Sequence, residues 1–565
     1  MSTQRVDIGQ TSILWSASPR APVGTDVTAR HVAVVWGDAI LAGPAGRATA
    51  NDVATSWSVE PESPAVYDGY YAAAVITRDG CVAVGADVLG YFPVYYTEVG
   101  DVLLAGASPE PFRHHPAFRE AISLEGLFTV LMFGGPFQGP CLLERVRRLR
   151  MGRLLRWRPR EAAREIMHFE LPTKHHDDAS FDDHLDAVHA AHVQTARRHH
   201  PAGESYGLHL SGGLDSRFVA AYLHAQGADI RALTFGRGSD YEAECARAVA
   251  RQLKFSHTLS EIGFEHYLDF AARCVRWEHL GCGMATMHMW GAIDPSRNLP
   301  NRSGNGYNRS REQPLFPTEF HALRKVLTQR AIPAETLRSL ARGPEAHDII
   351  DGLVERHESA YNALNDSPPE RAWRLFTETY VRHYAASVPW RLSFGSWPVM
   401  WELDREFLDA WIGVPIAAMA NRVLVETLLT RRFPRLARLP LDRNAHSRRP
   451  IAPSLAYRAR EWLSFHAPRW VREARKAREG GASATAGERR HFYRHYDFDN
   501  PGWRSVREAA EPYRSLLADQ FEMQAVNLVL PPPNALGSMP NPMTDGFAAK
   551  MLLGLIFWMR QHSGR

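Results

Sequence analysis

Apolar positions in the first 170 residues fall in short runs of strand length. His31-Val-Ala-Val-Val-Trp36 and Ala72-Ala-Ala-Val-Ile-Thr77 are each bounded by Gly, Asp or Pro, which predicts a β-rich region. Val82-Ala-Val84, a turn through Asp87 to Pro93, and Val94-Tyr-Tyr-Thr97 read as a hairpin. Leu171 to Ser180, with its paired histidines and aspartates, reads as a linker. Beyond it the period changes. Phe181 to Arg198 has helical spacing, and Gly207-Leu-His-Leu210 is a short strand that runs into a Gly-rich turn. Arg217 to Ala225 is again helical, Ile230 to Phe235 is a second strand, and Tyr241 to Leu253 a second helix. Strands alternating with helices at this spacing predict a parallel sheet with crossover connections. Beyond about residue 310 the pattern is mainly helical, and the small polar residues 471–490 predict a mobile surface loop. The expected division is 1–170 and 180–565, with no internal repeat.

The bulk properties narrow the class. With 565 residues, 45% hydrophobic and 23% charged, the chain reads as a soluble globular protein of two or more domains. The 66 basic and 62 acidic residues leave a formal charge of +4, too balanced to argue for a nucleic-acid partner. Arg147-Arg148 and Arg448-Arg449 read as solvated surface, and the histidine pairs at 114–115, 175–176 and 199–200 as surface or linker. The five cysteines, Cys81, Cys141, Cys245, Cys274 and Cys282, form no CxxC, which predicts a reducing compartment and no disulfide frame. The N-terminus lacks an apolar run behind a basic start, and Met551 to Met559 is too short to cross a bilayer. A cytoplasmic protein without a membrane partner is expected.

The chemistry concentrates in Leu210-Ser-Gly-Gly-Leu-Asp-Ser-Arg217. A buried strand ends at Leu210 and a helix begins near Asp215. Gly212 and Gly213 let the backbone approach an anion closely. The N–H groups at the start of the helix, with its dipole, favour negative charge there, and Ser211 and Ser216 add hydroxyl donors. Asp215 would repel phosphate, so its sensible role is to hold a Mg²⁺ bridging the phosphates. The loop lacks the Gly-Lys-Ser/Thr of a Walker A motif and is not GxGxxG. The bland alternative is a turn that merely starts a helix.

Ser211-Gly-Gly-Leu-Asp-Ser216 resembles the signature of the PP-loop ATP pyrophosphatases, which split ATP between its α and β phosphates and adenylate a substrate oxygen. By that resemblance Leu210, Ser211, Gly212, Gly213, Leu214, Asp215 and Ser216 bind ATP. Thr234, Phe235 and Gly236, in Leu233-Thr-Phe-Gly236, resemble the segment lining the adenine pocket. Asp240 and Glu242 read as helix-start residues.

The N-terminal region separates the branches of that family. Gly69-Tyr-Tyr-Ala-Ala-Ala74, Gly85-Ala-Asp-Val-Leu-Gly-Tyr-Phe-Pro-Val-Tyr-Tyr96 and Leu103-Leu-Ala-Gly-Ala-Ser108 resemble a class II glutamine amidotransferase domain, as in asparagine synthetases. Glu144 to Trp157 resembles the segment closing it. The resemblance implies an α/β protein, with an N-terminal Ntn-hydrolase-like αββα sandwich and a C-terminal parallel-sheet PP-loop domain carrying a helical extension. A working glutaminase of this kind needs a cysteine directly after the initiator Met. Here Ser2 stands there, so no glutamine hydrolysis is expected and the nucleophile is a substrate amine or ammonia.

Two further departures bear on the site. The family motif S-G-x-G-x-D-E is best matched by Ser303-Gly-Asn-Gly-Tyr-Asn-Arg309, which puts Ser303, Gly304 and Asn305 at the nucleotide and Asn308 in the place of a metal-binding Asp. Leu439 to Pro450 resembles the segment that supplies a catalytic lysine, but it contains none; Arg449 is a candidate cation and His446 a candidate proton carrier. Glu278, Cys282 and His288 fit no zinc spacing and read as core or pocket lining. The expectation is a ligase that uses ATP and Mg²⁺ to adenylate a carboxylate and couple it to an amine. Macrolactam closure of a ribosomal peptide is favoured, as in lasso peptide cyclases of antibiotic biosynthesis, with a leader-peptide protease as partner. The alternatives are a β-lactam synthetase or asparagine-synthetase-like ligase on a small molecule, and a catalytically weakened nucleotide-binding partner protein.

Overall fold

The structure is a computed structural model that describes residues 3–43, 46–58, 64–201, 203–280, 284–296, 300–302, 331–444, 446–466, 491–535 and 546–562. The segment 471–490, read from its composition as a surface loop, lies outside the described residues.

Sixteen strands are described: β1 Gln4–Ile8, β2 Thr11–Trp15, β3 Val23–Val27, β4 His31–Gly37, β5 Tyr71–Thr77, β6 Val82–Ala86, β7 Tyr95–Val99, β8 Val102–Gly106, β9 Arg147–Arg148, β10 Arg153–Trp157, β11 Arg164–Met167, β12 Ser205–His209, β13 Asp229–Phe235, β14 Ser256–Ser260, β15 Pro300–Arg302 and β16 Trp397–Val399. The N-terminal strands form an antiparallel six-stranded sheet in the order β11-β10-β6-β5-β4-β3, a three-stranded sheet β8-β7-β9, and the β1-β2 hairpin. Alternation along the strands decides which face goes where. Ala33, Val35, Ala73 and Val75 pack against Val53, Ala54 and Trp57 of helix α1 (Ala50–Ser58). On the opposite face Ala72, Ala86 and Leu155 share a core with Tyr95 and Tyr96 of β7 and with Leu127 to Phe133 of helix α2 (Leu124–Phe133).

The hairpin expected across residues 82–97 is not formed. β6 pairs with β5 and β10, whereas β7 pairs with β8 and β9 in the other sheet. The buried carboxylate of Asp87 accepts the N–H groups of Leu89 (3.2 Å), Tyr91 (2.9 Å) and Phe92 (2.7 Å). It folds the chain into a loop that carries it from one sheet to the other. Burial pushes the Asp87 carboxyl up to about 6 despite those three donors.

Past Leu171–Ser180, which has no regular secondary structure, Ser180 caps helix α3 (Phe181–His199) with a complete capping box. Then β12, helix α4 (Leu214–Ala225), β13, helix α5 (Tyr241–Leu253), β14 and helix α6 (Tyr267–Glu278) follow in turn. They build a five-stranded parallel sheet in the order β14-β13-β12-β15-β16. The order runs outward from β12 in both directions. The carboxyl ends of β12 and β15 therefore flank a topological switch point, where open parallel sheets bind ligands. Residues 331–562 are mainly helical where described, ending in the buried helix Phe547–His562. Among the described residues no helix is long and apolar enough to cross a membrane.

Polar contacts join the antiparallel sheets to the helical region. Asp68 accepts from the Arg405 backbone N–H (3.1 Å) and Nε (2.7 Å). Asp404, fully buried, caps the helix Arg405–Ile412 and lies 3.0 Å from His199 Nε2 and against Arg198. Two surface assignments are corrected here. His199 is buried on Asp404, and His200 is buried against Tyr206 and Trp401. Arg148 is buried too: its guanidinium donates to Gly90 O at 3.0 Å and lies 2.8 Å from His383 Nδ1. In each case a partner more than fifty residues away in sequence draws the polar group inward.

Candidate functional site

The β12–α4 connection, Leu210 to Gly213, lies at the switch point. The Leu210 N–H still pairs with Leu233 O (2.9 Å), so the sheet holds the loop's first residue. Gly212 has φ +70°, and a Cβ there would meet Glu242 O at 2.5 Å and Cys245 Cβ at 2.7 Å. Both backbone conformation and space thus require glycine. Gly213 is the N-cap of α4 in extended conformation, and Asp215 is the second helical residue. The first-turn N–H groups have no carbonyl partner within the helix and form the positive end of its dipole. Ser216 Oγ accepts the Ser211 N–H (3.0 Å) and lies 3.0 Å from Ser211 Oγ, which cross-braces the loop from within.

Helix α4 is buried from Ser216 through Leu223, including Arg217 among Phe218, Val219 and Ala220. The Arg217 guanidinium donates to Leu436 O (3.1 Å), Leu439 O (3.1 Å), Pro440 O and Gly212 O (3.3 Å). Burial lowers its pKa to about 10, so it stays charged at neutral pH. The Asp442 N–H donates to the same Gly212 carbonyl at 3.3 Å. The segment 436–442 is thereby fastened to the glycine loop. Beyond it, Arg443 pairs with Glu426 at 3.5 Å, and Arg448 pairs with Glu244 and lies 4.5 Å over the Tyr241 ring.

A second cation reaches the loop. Arg422 Nη1 lies 2.9 Å from Asp215 Oδ1, both side chains about one-third exposed. Arg422 is the N-cap of the helix Val423–Arg432. On the other side, Thr234 Oγ1 donates to Leu210 O (2.6 Å) and lies 2.8 Å from His257 Nε2. Phe235 is buried against His209, and the Gly236 N–H donates to Ser260 O at 2.8 Å.

The fold thus brings Leu210, Ser211, Gly212, Gly213, Leu214, Asp215 and Ser216 together with Thr234 at the carboxyl ends of β12 and β13. Asp240 occupies the N-cap position of α5 with no side-chain bond to the helix; its carboxylate accepts the Arg237 N–H (2.6 Å) and pairs with the Arg237 guanidinium. Arg449 pairs with Glu461 at 3.5 Å, both about half exposed, and His446 is exposed. Ser303, Gly304, Asn305 and Asn308 lie outside the described residues, although Ser303 follows β15 directly in sequence. Glu278 is core lining: it receives a two-pronged salt bridge from Arg391 (2.5 and 2.6 Å) and the Trp290 Nε1–H (2.7 Å). Sequence reading missed Arg217, Arg422 and Asp442. Arg217 did leave a signal, a lone guanidinium amid an otherwise apolar helix; Arg422 left none.

Residues 187–290 match the family described as Asparagine synthase. The likeness to asparagine synthetases is thus that of this one segment, which holds the glycine loop. The matched segment runs from within α3 through β12, the glycine loop, α4, β13, α5, β14 and α6. Among solved structures, NMN synthetase from Francisella tularensis is similar at 13% identity over 36% of this chain and 97% of that one. The TM-score is 0.19, too low to equate the two shapes. No curated protein matches.

Proposed function

We propose that this protein is an ATP-dependent amide-forming ligase that adenylates a substrate carboxylate, releases pyrophosphate, and transfers the acyl group to an amine with loss of AMP. One observation carries the reading. A Ser-Gly-Gly loop, braced by Ser216 and pinned through Gly212, delivers the start of α4 to the switch point of a parallel sheet. The backbone N–H groups from Gly212 to Ser216 hold the β and γ phosphates, and the helix dipole stabilises their charge. That leaves the α phosphorus open to attack by a carboxylate oxygen. Held donors that need no reorganisation, and placement of two reacting groups, supply most of the rate.

The donor set fits Mg²⁺, which takes one or two carboxylates and completes its shell with phosphates and water. Among the described residues no group of three or more His, Cys, Asp or Glu forms a cage. Asp215, partly exposed at the loop, would hold the ion with Asn308 as a second ligand, and the ion would neutralise phosphate charge. Arg449 and His446 follow in sequence the segment 436–442 that is fastened to Gly212, and are proposed to serve the acyl-transfer step.

The N-terminal sheets, covered by α1 on one side and α2 on the other, support an amidotransferase-like region over 1–170 ahead of a synthetase region over 180–565. Lasso-type macrolactam closure of a peptide is the favoured reaction. Its support is the helix Leu455–His466, whose Leu455, Trp462 and Leu463 are exposed and which Glu461 ties to Arg449. The test is exchange of labelled pyrophosphate into ATP with a panel of peptide and small carboxylates. Substrate-dependent exchange, lost in Asp215→Ala, is expected. ADP as the spent nucleotide would refute the reading.

A further inference from the structure

Arg422 has no counterpart among the expected site residues, yet it is the charged partner of Asp215. Three independent features single it out. It projects from another part of the chain, 207 residues on, to the second residue of the helix that follows the glycine loop. It has φ +63°, next to Asn421 at φ +57°, so two consecutive non-glycine residues adopt the left-handed conformation. Such strain persists only where the surroundings over-determine it, and it concentrates at ligand-binding positions. Its pair with Asp215 is about one-third exposed and so is open to exchange, unlike the buried Arg217 clamp beside it.

We infer that Arg422 is the phosphate-binding arginine of this site, held on Asp215 until a nucleotide arrives and then moving its guanidinium to the terminal phosphates. The assignment rests on the nucleotide reading of the loop above. The chemistry follows from the groups present. Asp215 is an anion at a place built for anions, and a guanidinium beside it keeps the loop's charge balanced. A polyphosphate entering against the loop N–H groups presents oxygens with the same two-pronged geometry as a carboxylate, and the planar fork of Arg422 fits both. Exchange of one anion for the other costs the guanidinium no charge pairing and frees Asp215 for a cation. The strained 421–422 turn fixes where the side chain starts. The helix Val423–Arg432 behind it is anchored through Glu426 to Arg443. The Arg422 side chain is thus a positioning device for the leaving pyrophosphate; it does not touch the adenosine end.

Equilibrium binding of ATP, inorganic pyrophosphate and AMP to the full chain tests this, for the wild type, Arg422→Gln and Arg422→Lys, with thermal unfolding as a check on folding. Arg422→Gln is expected to weaken ATP and pyrophosphate about tenfold while leaving AMP unchanged, and Arg422→Lys to recover part of the loss. Equal weakening of ATP and AMP would make the residue merely structural, and unchanged ATP and pyrophosphate binding would exclude the phosphate role; either overturns the inference while the nucleotide reading stands. A wild-type protein that binds neither ATP nor pyrophosphate overturns both.

Discussion

The guanidinium of Arg217 donates to the carbonyl of Gly212 at 3.3 Å, and its other prongs close on the carbonyls of Leu436, Leu439 and Pro440. One buried side chain thereby couples the glycine loop to a segment more than two hundred residues further along. Four carbonyls facing a fully buried position depend on it. Arg217→Met removes the charged donor that the four share, although Gly212 O keeps the Asp442 N–H and Leu436 O the Leu439 N–H, and is expected to cost about 3 kcal/mol, read from the urea midpoint. Arg217→Lys should cost nearly as much, because an ammonium lacks the fork that spans these acceptors. A lysine variant as stable as the wild type would show that the clamp is only a charge.

The two loop glycines should respond differently. Gly212→Ala demands φ +70° of an L-residue and drives its Cβ to 2.5 Å from Glu242 O, so loss of ATP binding is expected together with destabilisation. Gly213 is extended, and its added Cβ would meet only Ser211 Oγ, at 3.3 Å. Gly213→Ala should fold with stability within about 1 kcal/mol of the wild type. Isothermal titration with ATP and thermal unfolding separate the two, and equal behaviour would contradict the loop geometry.

Asp404 ties helix α3 to the helix Arg405–Ile412 through His199 and Arg198, and sets an acid limit on that contact. Burial alone would raise its pKa, but the hydrogen bonds and charges of His199 and Arg198 outweigh that and bring it down to about 2. A carboxylate depressed from its ordinary 3.8 contributes stability that is complete above pH 4 and is lost as the pH falls through 2. The contribution is about 2 kcal/mol. The stability gap between wild type and Asp404→Asn should therefore shrink from pH 5 to pH 2. A gap that stays constant over that window would remove Asp404 from the acid transition.

The glycine loop was legible because its chemistry is local. Small residues, two hydroxyls and one acid sit between an apolar strand and a helix, and strand–helix alternation implies the parallel sheet around them. The partners were not legible, because folding alone brings them there. Nothing near Arg422 in sequence indicates that it will meet Asp215, and Arg217 shows only that a charge lies in an apolar helix. The same limit produced the errors. Residues 82–97 carry two strand-like runs around a turn, as a hairpin would, and only the Asp87 carboxylate gathering three N–H groups sends the second run into another sheet. His199, His200 and Arg148 look like surface residues until Asp404, Trp401 and Gly90 O are packed against them.

The central claim is that the loop from Leu210 to Ser216 holds the phosphates of ATP so that the bond beyond the α phosphorus can break. A crystal structure of the complex with α,β-methylene ATP, whose α–β bridge cannot be cleaved, tests it most directly. The account predicts the β and γ phosphate oxygens within hydrogen-bond distance of the backbone N–H groups of Gly212 to Ser216, with the α phosphate turned toward open space. An analogue bound elsewhere, or phosphates directed away from the start of α4, would contradict it.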